Sequence, residues 1–191
     1  MSFIIRLIPR YLLNMNRFFL SLFSRTTSSP YTIEKGSSVS DVQAFFRMFN
    51  PFGNGYSLIR VGSLGDGGYL IPNDLVGVRN CLSPGVGKTC DFENSLSFDY
   101  QIKSWLIDDT VSRPGDLHPM NNFESLRLST ETVVGQSISL DDWMSNGYLS
   151  DDSELLLQMD IESHEWLSIL SSSVDSLARF RIMVIEFHSL P

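Results

Sequence analysis

Residues 154–160, Glu-Leu-Leu-Leu-Gln-Met-Asp, form a nearly continuous apolar run that ends on an acid. Apolar side chains at successive positions need cover on both faces of a strand, and a parallel sheet flanked by helices supplies it. The residues that follow, ESHEWLSIL, have helical spacing, and RIMVIEFH (181–188) is again an apolar strand. The same alternation runs upstream. A strand at 78–82 leads to the glycine turn Ser83–Gly87 and a helix from about Asp91. A strand at 103–107 ends in Asp108-Asp109. A weaker strand, ETVVGQ (131–136), precedes a short helix on which Ser139 and Asp142 have capping-box spacing. Before these lie a helix carrying Val42, Phe45, Phe46 and Phe49, closed by Asn50-Pro51, and a hairpin pairing YSLIRVG with GYLIP around LGDGG. The expected fold is α/β, a doubly wound, mostly parallel, Rossmann-like sheet.

In such a sheet ligands bind beyond the carboxyl ends of the strands. Polar residues collect at those ends: Ser83–Gly87, Asp108, Asp160 with Glu162, and Glu186 with His188. The glycine turn ends in Gly87-Lys88-Thr89, as a P-loop does. A P-loop also needs glycine five positions before Gly87, and that position is Leu82, a strand residue. Asp108 lies about twenty residues beyond the turn, where an acid accepts hydrogen bonds from the hydroxyls of an adenosine ribose. The turn then suits either a dinucleotide pyrophosphate or the amino-acid part of S-adenosylmethionine. The dinucleotide fingerprint needs a third glycine, and Cys90 stands there. Two glycines without the third favour S-adenosylmethionine, whose sulfonium also suits acidic surroundings.

The net charge of −8 argues against nucleic acid as a partner. Cys81 and Cys90, with no other cysteine or histidine cluster, read as small buried thiols, and no metal site is assigned from spacing. Residues 1–30 carry Arg6, Arg10, Arg17 and Arg25 and no acid, which leaves −12 on the rest. Residues 1–25 are too broken by arginine to span a bilayer. They read either as a basic amphipathic helix on an anionic membrane surface or as a helix packed on the domain or a partner. The expected organisation is a basic apolar segment and linker over 1–30, then one domain over 31–191, in a cytoplasmic protein with peripheral membrane contact.

From Arg60 to His188 the chain resembles the FkbM-type S-adenosylmethionine-dependent methyltransferases. The likeness rests on RVGSLGDGGYLIP, CLSPGVGKTCDFE, LIDDT, ISLDDWM, LLLQMDIESHEW and VIEFH, in that order. MDIESHE is the most specific, close to the family's Met-Asp-Ile-Glu-Gly-x-Glu. The resemblance implies the class I methyltransferase sheet and O-methylation of a sugar, a glycan or another small hydroxylated acceptor. It implies that Ser83, Pro84, Gly85, Val86 and Gly87 hold the methionine part of the cofactor, that Asp108, with Asp109 as the next candidate, holds the ribose, and that Asp160 faces the methyl.

Asp160 then reads as a base, a ligand to a divalent metal or a residue shaping the pocket, and His188 as a base or a surface histidine. Ser163 replaces the family's glycine, a change expected to be mild because serine caps helices well. The chain stops three residues after the fifth strand, without the antiparallel pair of this fold, so a fragment or an open sheet edge is expected. Two other readings stay open: an NAD-dependent sugar-modifying enzyme on a similar sheet, and an inactive binding module.

Overall fold

The computed structural model describes residues 2–5, 38–48, 53–146, 149 and 154–188. The linker at 26–30 and the Asn50-Pro51 helix stop lie outside them.

The strands are β1 (Ser2–Ile5), β2 (Leu58–Gly62), β3 (Gly68–Pro72), β4 (Asn80–Pro84), β5 (Lys103–Ile107), β6 (Asn122–Glu124), β7 (Arg127–Ser129), β8 (Ser137–Ser139), β9 (Leu155–Met159) and β10 (Phe180–Glu186). The helices are α1 (Val39–Met48), α2 (Asp91–Tyr100), α3 (Leu140–Met144), α4 (Glu165–Ser171) and α5 (Val174–Ala178). The main sheet runs β1-β10-β9-β4-β5-β6. Its five strands from β10 to β6 are mutually parallel. The chain moves outward from β4 through β5 to β6, then restarts on the other side of β4 with β9 and β10. That is the strand order of a Rossmann-like α/β sheet, and the β4/β9 boundary is its switch point.

Strand alternation explains why the apolar runs fold this way. Leu155, Leu157, Met159, Met183 and Ile185 face one layer, with Trp105, Leu140, Trp143 and Leu177. Leu156, Ile182 and Val184 face the other, with Phe92 and Leu96 of α2 and Val61, Tyr69 and Ile71 of the β2–β3 hairpin. All five β9 side chains are buried, as the continuous apolar run requires. At about 25 cal/mol per Å² of apolar surface, these two layers hold the sheet against chain entropy.

Two expectations are corrected. The third strand of the parallel run is not 131–136 but Asn122–Glu124. Val133 and Val134 are exposed, and Gly135, at φ +73°, turns the chain into β8. Two valines without a face to bury do not make a strand. Nor is the edge beside the fifth parallel strand open. Ser2–Ile5 pairs antiparallel with β10, Ser2 opposite Glu186 and Ile5 opposite Met183, so these four residues are strand and not helix. The rest of the 1–25 segment lies outside the described residues. Among the described residues no helix is long and apolar enough to cross a membrane.

Candidate functional site

The glycine turn leaves β4 at the switch point. Gly85 has φ +80°, and a Cβ on it would lie 1.7 Å from the Asp160 carbonyl oxygen. Its N–H donates to the Ile107 carbonyl at 3.0 Å, and the Asp160 N–H donates to the Pro84 carbonyl at 3.2 Å. Glycine is required at 85 because the turn is wedged against the end of β9. Gly87, at φ +62°, differs: a Cβ there would meet nothing within 4 Å, so the second half of the turn borders open space. The LGDGG hairpin reaches the same place, since a Cβ on Gly67 would sit 3.3 Å from Thr89 Oγ1.

Ser83 is fully buried and faces inward. Its hydroxyl meets both Glu93 Oε1 and Gln158 Oε1, the latter at 2.7 Å. One hydroxyl hydrogen cannot serve two acceptors. Burial raises the Glu93 pKa above the ordinary carboxyl value, while the hydrogen bond from Ser83 acts against that rise. Gln158 Nε2 donates to Tyr69 Oη at 3.3 Å. Burial pushes the Tyr69 phenol up to about 12, so it stays neutral. This buried chain starts from the strand residue just before the turn, and the Ser83 hydroxyl is spent within it.

Asp108 is 7% exposed. Oδ2 accepts the Gly87 N–H at 2.9 Å, and Oδ1 accepts the Thr110 N–H at 2.7 Å and the Thr110 hydroxyl at 2.6 Å. Of roughly four acceptor positions on a carboxylate, three are filled, so Asp108 organises the turn and keeps one position for a ligand. Asp109 points elsewhere, to the Arg127 guanidinium at 2.6 and 2.9 Å.

Asp160 and His188 come together, around a residue that sequence reasoning passed over. Glu165 is the first residue of α4, and its side chain is fully buried. Oε1 accepts the Ile161 N–H at 3.0 Å and the Ser163 N–H at 3.3 Å, and Oε2 accepts the His188 N–H at 3.3 Å. His188 Nδ1 lies 3.0 Å from Oε1. Burial alone would raise the Glu165 pKa, but the hydrogen bonds from the His188 ring and from backbone N–H groups hold it below the ordinary value. Glu165 is therefore a carboxylate, Nδ1 carries the hydrogen, and Nε2 points away from it. The hydrogen bond to Glu165 raises the His188 pKa. The signal in the sequence was the third acid of Asp-x-Glu-x-x-Glu, quoted within the family motif but given no role.

Nε2 of His188 lies 3.8 Å from Asp160 Oδ1 and 3.6 Å from Glu162 Oε2. Asp160 Oδ1 is shut off from solvent and has no hydrogen-bond partner. Burial, then the Glu186 charge, raises the Asp160 pKa to about 6. A His188 nitrogen and one carboxylate oxygen each from Asp160 and Glu165 fall within 4.8 Å of one another, a spacing that can hold a metal ion.

The expectation for Ser163 is corrected. It has φ +84° and does not cap the helix. The cap position is His164, with no side-chain hydrogen bond. Left-handed backbone at 163 is what glycine tolerates and serine resists. Cys81 and Cys90 are free and buried, as read from the sequence. His164 is exposed, and the His118 ring packs edge-on against Phe98, with centroids 4.4 Å apart.

Compared with family models, curated proteins and solved structures, the chain finds no match in any of the three.

Proposed function

We propose that the protein is an S-adenosylmethionine-dependent methyltransferase acting on the hydroxyl of a sugar, glycan or other small acceptor. One observation carries the reading. The glycine turn and the acid at the end of β9 are in backbone contact at the switch point, Gly85 against the Asp160 carbonyl. A cofactor lying over the turn would therefore adjoin Asp160 and the His188 imidazole. The Rossmann-like order of the parallel strands supports the reading, being compatible with a methyltransferase sheet.

The residues fit the cofactor at the turn, where Gly87 borders open space, and fit it in part at the ribose, where Asp108 keeps one acceptor position. The cofactor supplies a methyl on a sulfonium, open to in-line displacement. The chain supplies the rest. The turn would offer backbone to the amino-acid part from Val86 and from the Gly87 carbonyl, since the Gly87 N–H is held by Asp108, and Asp108 would receive a ribose hydroxyl. Asp160 and His188 stand where an acceptor hydroxyl would lose its proton, and Glu165 fixes the imidazole so that Nε2 faces that side. The protein then works on small acceptors in the cytoplasm, with residues 6–25 as a candidate contact to an anionic membrane.

Calorimetry with S-adenosylhomocysteine, NAD and ATP tests the reading. Binding of the first alone supports it. Binding of NAD alone favours the dehydrogenase-like alternative, and binding of none favours a module without a cofactor.

A further inference from the structure

We infer that His188 Nε2, Asp160 Oδ1 and Glu162 Oε2 form a divalent-cation site, with Glu165 as the carboxylate that orients the histidine behind it. Two carboxylate oxygens, one from Asp160 and one from Glu162, lie beside His188 Nε2 without hydrogen-bonding it. Separations of 3.6 and 3.8 Å are too long for hydrogen bonds. They are close to the spacing that a shared ion imposes: two ligand atoms about 2.1 Å from one ion at the tetrahedral angle stand about 3.4 Å apart. The Glu162 side chain, 86% exposed, has room to swing toward Asp160 and complete the set.

Two further observations point to a cation. First, Asp160 Oδ1 is buried and has no hydrogen-bond partner. A buried carboxylate oxygen without a donor is costly, and a bound cation would remove the cost. Second, His188 shows the arrangement common to metal-bound imidazoles: Nδ1–H is held by a buried carboxylate and Nε2 is left as the lone-pair end. Glu165 takes the orienting role because its Oε1 already accepts three donors, the His188 ring nitrogen among them, and its Oε2 holds the His188 backbone N–H.

A mixed imidazole and carboxylate set suits zinc, manganese or cobalt better than calcium. Three protein ligands leave coordination positions for solvent or for an acceptor hydroxyl, whose pKa the ion would lower. On the methyltransferase reading, the ion would then take over from the free imidazole the task of acidifying that hydroxyl. The site itself does not depend on that reading, because it is tested with metal alone.

The test uses the full, untagged chain, titrated calorimetrically with MnCl₂ and with ZnCl₂, and with CoCl₂ followed by visible absorption. One saturable site is expected, with a cobalt spectrum that changes in His188→Ala. Glu162→Gln, an exposed change that the fold should tolerate, should weaken binding at least tenfold. Glu165→Gln should weaken it by about 10- to 100-fold, the range for losing an orienting carboxylate. Absence of saturable binding in the millimolar range overturns the inference. So does binding that His188→Ala or Glu162→Gln leaves unchanged.

Discussion

Nδ1 of His188 lies 3.0 Å from Oε1 of Glu165, and the backbone N–H of His188 donates to the other oxygen of the same carboxylate. One buried side chain at the start of α4 thus holds both the ring and the main chain of a residue just past β10. Glu165→Gln removes the charge from these contacts and should cost about 1–3 kcal/mol near neutral pH, the range for charge-assisted hydrogen bonds. The pH dependence follows from two opposite shifts. The Glu165 pKa is lowered, so its contribution is present above the ordinary carboxylate range and lost as pH falls through the folded value. The His188 pKa is raised, so its contribution is full below about 6.5 and lost as pH rises through the folded value. The gap between wild type and variant should therefore be widest in mildly acidic solution, between those two limits. Urea unfolding at three pH values measures it, and a gap independent of pH would count against the pair.

Asp160→Asn should stabilise the protein in alkaline more than in acidic solution. Its carboxyl titrates near 6 instead of 3.8, chiefly because it is buried. The cost of holding it ionised is absent below about 3.8, grows toward 6 and is constant above. Asparagine keeps the shape without the charge, so the variant should gain about 1–3 kcal/mol at pH 8 and little at pH 4. Urea midpoints in the presence of a chelator decide it. An equal effect at both pH values would remove the burial argument.

Ser163→Gly should raise stability by about 0.5–1 kcal/mol. Left-handed backbone costs an L-residue about 1–2 kcal/mol, and glycine returns part of that gain through its freer unfolded chain. The serine at φ +84° carries that strain now. Thermal unfolding gives the answer, and a variant less stable than wild type would show that the serine side chain outweighs its backbone.

Asp108→Ala should weaken S-adenosylhomocysteine binding and also cost stability, each by about 1–3 kcal/mol. The second effect arises because the carboxylate holds Gly87 and Thr110. Asp108→Asn, which keeps an acceptor oxygen, should retain more of the fold. Calorimetry beside thermal unfolding separates the two. Unchanged affinity in a folded alanine variant would move the ribose contact away from Asp108.

Membrane contact is best tested without truncation, because Ser2–Ile5 is part of the sheet. Replacing Arg6, Arg10, Arg17 and Arg25 by glutamine should abolish co-sedimentation with anionic vesicles, at about 1 kcal/mol for each basic residue, and salt should mimic the change. No co-sedimentation of the wild type at low salt would dismiss the anchor.

The sequence determined the parallel sheet, because Leu155 to Met159 and Ile182 to Ile185 can be buried only between two layers. It also determined the two turn glycines, the strand-end acids and the cap at Ser139, whose hydroxyl accepts the Asp142 N–H. These are local properties of spacing and backbone preference. Three things were decided only in the tertiary structure. Asn122–Glu124 became the third parallel strand because Ile107 and its neighbours on β5 offered a free edge, not because of strong strand propensity. Ser2–Ile5 joined β10 across nearly the whole chain, a pairing that no local pattern encodes. Glu165 became the centre of the candidate site because folding buried it among four donors supplied by three separate backbone positions and one ring nitrogen. A carboxylate's role depends on what surrounds it, and those surroundings exist only once β9, α4 and β10 are packed together.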